Sequence, residues 1–363
     1  MKFYVNSVYA APVLFLLILC FNLQDVYSQT NQEYYLSVSR LTDPGEDAYL
    51  LKSLPDGVVD ICNILNVQLV HYRMLSQWKI PKTEWSTAFS NYSIKSILDT
   101  LKSRGDSTLS PDRKLGDRII GACTKESIFS TSALRGKGIP ARMRVGYLTN
   151  LYTAEKTLDF WKNVKEYEWM DTTGEYPDEF TLEAMKVNRS IEHWVTEFWD
   201  ESTNQWRLLD IRPEYINAYG KNVDYFIKHG ENFEFAWEVW QRIGKEGIEE
   251  AAYAEGDLDA KSHVRYQMLQ DFYSLLNYEL PGVFDSDGVY IGDNENDDIK
   301  FLKKSYDDLS EIELKELDEL AELLSTSPDV EVLVEFYNNS TTLKLESLEK
   351  DEYSFVNKLK SRN

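Results

Sequence analysis

Residues 123–147 constrain the fold more than any other stretch. Cys123 to Arg135 reads as a helix, closed by Gly136 and Gly138, residues suited to helix C-termini. The chain then enters a strand, Ile139 to Tyr147, through Pro140. Two more strands follow, Glu192 to Trp199 and Gln205 to Ile211, joined by the polar segment Glu201-Ser202-Thr203-Asn204. Helices first and antiparallel strands afterwards indicate an α+β fold.

Other helices flank this centre. Gly57 to Met74 has apolar residues at helical spacing behind a candidate N-cap, Asp56, and carries Cys62 and His71 as packing residues. Ser93 to Ser103, Tyr225 to Ile248, Val264 to Leu276 and Leu309 to Leu324 also read as helical. The last forty or so residues are acidic and weakly patterned, which suits a solubilising face. Asp285 to Asp298 reads as a solvated acidic loop, because Asp293, Glu295, Asp297 and Asp298 lack the spacing of a calcium loop. No internal repeat and no glycine-rich phosphate loop is found.

At the N-terminus, Lys2, the apolar run Pro12 to Leu23 and Val26-Tyr27-Ser28 follow the order of a secretory signal. The run is short for a membrane span of about 20 residues. The expected layout is a signal peptide over 1–28, a main domain over 29–300 and an acidic region over 301–363, in an exported (periplasmic or secreted) protein without a stable membrane span. The chain has 363 residues and 43% hydrophobic content, enough for a packed core. Its net charge of −22 argues against a nucleic-acid partner and against anionic lipid. Three cysteines exclude a disulfide scaffold and a four-cysteine zinc site, and four scattered histidines leave little room for a metal centre.

Chemistry centres on Cys123. A helix start offers free N–H groups and the positive end of the dipole, both of which favour a thiolate. Gly121 and Ala122 let a carbonyl approach the sulfur, and the Cys123 N–H is placed to hold an oxyanion. A thiol needs a basic partner, and His193, opening its strand, is the best candidate. Asp210 ends the next strand. A two-residue hairpin loop sets Asp210 opposite His193, and a four-residue loop leaves them diagonal; an odd loop without a bulge separates them onto opposite faces. On either even length, Asp210 can orient the imidazole and stabilise its charged form.

The segment Asp117 to Tyr147 resembles the core motif of the transglutaminase-like superfamily: Cys123, Arg135 twelve residues later, Gly-Ile-Pro-Ala-Arg at 138–142, then Gly146-Tyr147. The second motif is His193-Trp194 opening an aromatic strand, then Trp206 and Asp210. The resemblance implies a papain-like fold, with the nucleophile helix packed on an antiparallel sheet, and a triad of Cys123, His193 and Asp210. It implies thiol-dependent acyl transfer from a peptide, amide or acyl-thioester to water or an amine, with no cofactor. The calcium sites of animal transglutaminases have no counterpart here. Arg142 and Arg144 belong to the motif as structural ion-pair partners, with Glu197 a candidate acid; Trp194 and Trp199 line the cleft or pack in the core. A broader resemblance, from Leu54 to Gly288, is to a bacterial branch, in which secretion is not typical. Thr124-Lys125-Glu126 and Arg212 depart from that branch's pattern, which bears on the substrate. The alternative is a binding protein on the same scaffold without turnover.

Overall fold

The computed structural model describes residues 31–71, 92–105, 107–152, 189–211, 224–244, 250–254, 258–280 and 301–360. The signal segment, the acidic 285–298 loop and Arg212 lie outside them. In chain order the main elements are α1 (Ala48–Lys52), α2 (Val58–Asn66), β1 (Leu69–His71), α3 (Ile94–Ser103), β2 (Ile119–Gly121) and α4 (Cys123–Gly136). There follow β3 (Ala141–Tyr152), β4 (Arg189–Asp200), β5 (Gln205–Leu209), β6 (Phe226–Ile227), β7 (Phe233–Phe235), α5 (Ala236–Arg242) and α6 (Ala260–Leu275). The chain continues through α7 (Glu311–Ser325), α8 (Val330–Asn339), α9 (Glu346–Lys350) and α10 (Phe355–Lys360).

The fold is α+β. Five antiparallel strands form one sheet in the order β6-β5-β4-β3-β7. The two edge strands, β6 and β7, are joined only by residues 228–232, a turn closed by Gly230 N–H to Phe233 O and Asn232 N–H to Lys228 O. So short a link draws the two edges together, and the sheet curls into a half-closed barrel. Its interior is filled by one layer with a contribution from every strand: Leu148, Val195, Leu208, Ile227, Phe233 and Phe235.

Helix α4, which begins at Cys123, packs on the outside of this barrel. Its Ile128, Phe129, Ala133 and Leu134 meet Met143, Val145, Trp194 and Phe198 in one buried cluster. Residues 124–135 of α4 are all buried, so it lacks a polar face, and its hydroxyls turn inward to find partners. Ser130 and Thr131 bond Thr196 Oγ1 at 2.6 and 3.0 Å, and Ser127 donates to Val195 O at 2.9 Å. Arg135, the motif arginine, closes the far end by donating to Ala141 O, Thr42 Oγ1 and Asn277 Oδ1. A second cluster gathers α5, α6 and the C-terminal helices.

Two expected helices differ. The 57–74 helix stops at Asn66, behind Gly57 rather than Asp56, and Leu69–His71 pairs in parallel with Ile119–Gly121. His71 is therefore a buried strand residue. Among the described residues of the expected 225–248 helix, 225–244, helix is confined to Ala236–Arg242, because Phe226–Ile227 and Phe233–Phe235 supply the two edges of the barrel.

Candidate active site

Position in the site follows from the α4–β4 contact. Ser127 touches the backbone of Val195, and the chain numbers of helix and strand advance together, since Thr131 meets Thr196. Stepping back one helical turn from Ser127 covers about 6 Å. Two residues back along β4 cover about 6.6 Å. Cys123 at the helix tip therefore arrives beside His193.

The charge of the His193 ring is favoured by Asp210 and, less strongly, by the nearby Cys123 thiol. The ring meets Asp210 through Nε2, which lies 2.8 Å from Asp210 Oδ2. The hairpin carries a four-residue loop, with Asp200 opposite Gln205 and Thr196 opposite Leu209. One step further sets Asp210 against Val195, diagonal to His193 and on its face, as an even loop requires. Asp210 itself is anchored. Its N–H donates to Tyr225 O at 2.9 Å, and Asn66 Nδ2 donates to the next carbonyl, that of Ile211.

His193 and Asp210 are buried, and Cys123 is half-buried. Burial pulls the His193 pKa down, but the charge and hydrogen bond of Asp210, then those of Cys123, outweigh it and hold the imidazole well above its ordinary range. Cys62 has the opposite setting: burial, with the charge of Asp210 adding to it, pushes its thiol up to about 12. Its side chain packs in the α2–α4 cluster.

Behind the site, Glu197 Oε2 accepts from Arg142 Nε at 2.6 Å and Arg144 Nη1 at 2.9 Å. Sequence reasoning missed the second acid, Asp271 on α6, which takes Arg144 in a two-pronged pair at 2.9 Å and accepts from the Val145 N–H at 2.8 Å. It also missed His263 and Gln267, which hold Glu192 beside His193. The available signal was spacing: 263, 267 and 271 fall at i, i+4 and i+8 on one helix face. Trp194 is core, and Trp199 stands edge-to-face with Trp206 at 5.7 Å. Lys125, a departure residue, donates to Ile120 O at 3.1 Å; burial, helped by Arg104, lowers its pKa to about 7.

A buried ring bonded to a buried carboxylate, with a helix-tip thiol nearby, sits inside residues 76–211, which match the family model of the Transglutaminase-like superfamily. The chain carries a transglutaminase-like domain. No curated protein and no solved structure matches it. The transglutaminase-like match ends at Ile211, one residue past Asp210, and so spans all three candidate residues.

Proposed function

We propose that this transglutaminase-like protein is a thiol acyltransferase or hydrolase that works through Cys123, His193 and Asp210. The observation that carries the reading is the buried His193 ring, held 2.8 Å from Asp210 with the half-buried Cys123 thiol at the helix tip close enough to favour its charged form. The Cys123 thiol passes its proton to the ring, and the thiolate attacks an amide or thioester carbonyl. A C–S bond forms, and the oxyanion is held by the free N–H groups of the α4 tip. His193 then protonates the leaving amine or thiol as its bond to carbon breaks, giving an acyl-enzyme. Water or an amine attacks next, the ring takes its proton, and the thiol is regenerated. Asp210 keeps the ring oriented and its charged form favoured. Water as acceptor makes the protein an amidase or peptidase; an amine makes it a transglutaminase.

The test is intact mass after incubation with peptide amides and acyl-thioesters, with and without an amine. The expected result is an acyl adduct on wild type, absent from Cys123→Ala, that the amine or water resolves. An adduct that persists on Cys123→Ala, or none on either protein, overturns the reading and favours a scaffold without turnover. Export, read from Pro12 to Leu23, is part of the same proposal. N-terminal sequencing from the native host checks it, and an intact Met1 on a cytosolic product refutes it.

A further inference from the structure

Asp210 stands one residue beyond the end of its strand. The last β4–β5 pair is Thr196 with Leu209, and the last β5–β6 pair is Leu209 with Phe226. The ladder stops short of the carboxylate, so its place 2.8 Å from His193 Nε2 has to be fixed by other contacts. One is the bond from its own N–H to Tyr225 O at 2.9 Å.

Helix α2 supplies more. Cys62, Asn63 and Asn66 fall at i, i+1 and i+4, on one side of the helix. Asn66 Nδ2 donates to Ile211 O, the carbonyl just past Asp210. Asn63 Oδ1 accepts from the Tyr225 hydroxyl at 3.0 Å, on the opposite strand of the corner. Cys62 packs with Ile211 and Tyr225 in one buried cluster, close enough for the charge of Asp210 to act on its thiol. The two asparagines therefore hold both arms of the corner that carries Asp210. The chain then runs from α2 through Gln68 into β1, whose His71 is the register partner of Gly121, two residues ahead of Cys123. One short unit, 58–71, spans from the thiol end of the site to the carboxylate end.

We propose that Asn63 and Asn66 are positioning residues, which keep Asp210 against His193. The inference rests on the Cys123–His193–Asp210 reading. Burial pulls the His193 ring down and Asp210 lifts it, so the ring titrates well above its usual range only while the carboxylate stays at Nε2. The other ionisable groups on the surrounding elements, Cys123, Lys125 and Glu126 on α4, Cys62 on α2 and Glu192 on β4, are the same in every variant below, so differences report Asp210.

The measurement is an NMR pH titration of the His193 ring, its signal assigned through His193→Gln, with circular dichroism as the folding control. Asp210→Asn should lower the midpoint by about 1 to 3 pH units. Asn66→Ala should lower it by about half a unit to one unit, as the loss of one hydrogen bond loosens the carboxylate. Tyr225→Phe removes only the hydroxyl held by Asn63, should shift the midpoint the same way by less, and carries the test if Asn66→Ala does not fold. In the Asp210→Asn background, Asn66→Ala should add no further shift. An unmoved midpoint in Asn66→Ala and Tyr225→Phe, beside a lowered one in Asp210→Asn, overturns this inference and leaves the triad standing. An equal shift from Asn66→Ala with and without Asp210 also overturns it, because the residue then acts by another route. An unmoved midpoint in Asp210→Asn removes the triad reading and this inference with it.

Discussion

Cys62 and Cys123 carry the same thiol into contrasting settings. With its pKa at about 12, Cys62 is roughly one part in 10⁴ thiolate at pH 8. Cys123 has a helix tip and a basic ring beside it. Brief iodoacetamide treatment should label Cys123 alone, as read by peptide mapping; faster labelling of Cys62 would reverse the assignment. For Asp210→Asn we expect single-turnover acylation to fall on the order of 10- to 10³-fold, less than the roughly 10⁴-fold cost in serine enzymes, because a thiol gives up its proton more readily than a hydroxyl and leans less on the base. Unchanged acylation would remove Asp210 from the mechanism. Glu197 gives a pH prediction. Burial raises its pKa, but the charges of Arg142 and Arg144 outweigh it and lower it from 4.5 to about 2. A depressed carboxyl stabilises above its unfolded pKa and loses that contribution as pH falls through the folded one. The urea midpoint of wild type should therefore drop between about pH 4.5 and 2. Glu197→Gln should flatten that limb and cost on the order of 3–5 kcal/mol at pH 7, because it strands the buried Arg142 guanidinium while Arg144 keeps Asp271. The helix start at Cys123 and the meeting of His193 with Asp210 were legible because helix ends and strand parity are local rules. Asp271 was not, since its partner Arg144 lies 127 positions away.

At the scale of elements, the β3–β7 seam is the tightest joint. A Cβ on Gly146 would lie 2.1 Å from Glu234 O and 2.7 Å from the Phe233 ring. Gly146 is also the register partner of both His193 and Phe235. Gly146→Ala should force the seam apart and cost about 3 kcal/mol or more in a denaturant titration. A variant as stable as wild type would show that the seam relaxes freely. Strands that answered to a local pattern, β3 to β5, were read near their true bounds. Those that depend on distant pairing were not. Leu69–His71 continues an apolar helical spacing, yet Ile119–Gly121 captures it as a strand, and Ile119 N–H donates to Gln68 O at 3.0 Å. Phe226–Ile227 and Phe233–Phe235 are too short to show alternation and exist because β5 and β3 offer open edges.

For the molecule as a whole, the C-terminal helices are structural. Leu333, Tyr337, Leu345, Leu348 and Phe355 are buried in the same cluster as α6, and Phe355 N–H donates to Leu276 O at 3.0 Å. Their weak pattern reflects short helices, five to ten residues long, whose stability comes from packing rather than propensity. Removing residues 330–363 should lower the thermal midpoint by about 10 °C or more, or yield insoluble protein, as a melting curve would show. A midpoint within 2–3 °C of wild type would make the region an appendage.

The clamp of α6 on β3 also sets a timetable. A ribosome delivers α4 and the β3–β5 strands well before Phe233–Phe235 and Asp271 exist to cover the outer edge of β3. Until then that edge presents bare backbone amides, the kind of template on which neighbouring nascent chains stick. Slow synthesis through residues 150–270 should therefore favour aggregates, and a chaperone that shields extended edges should rescue yield more than one that only speeds release.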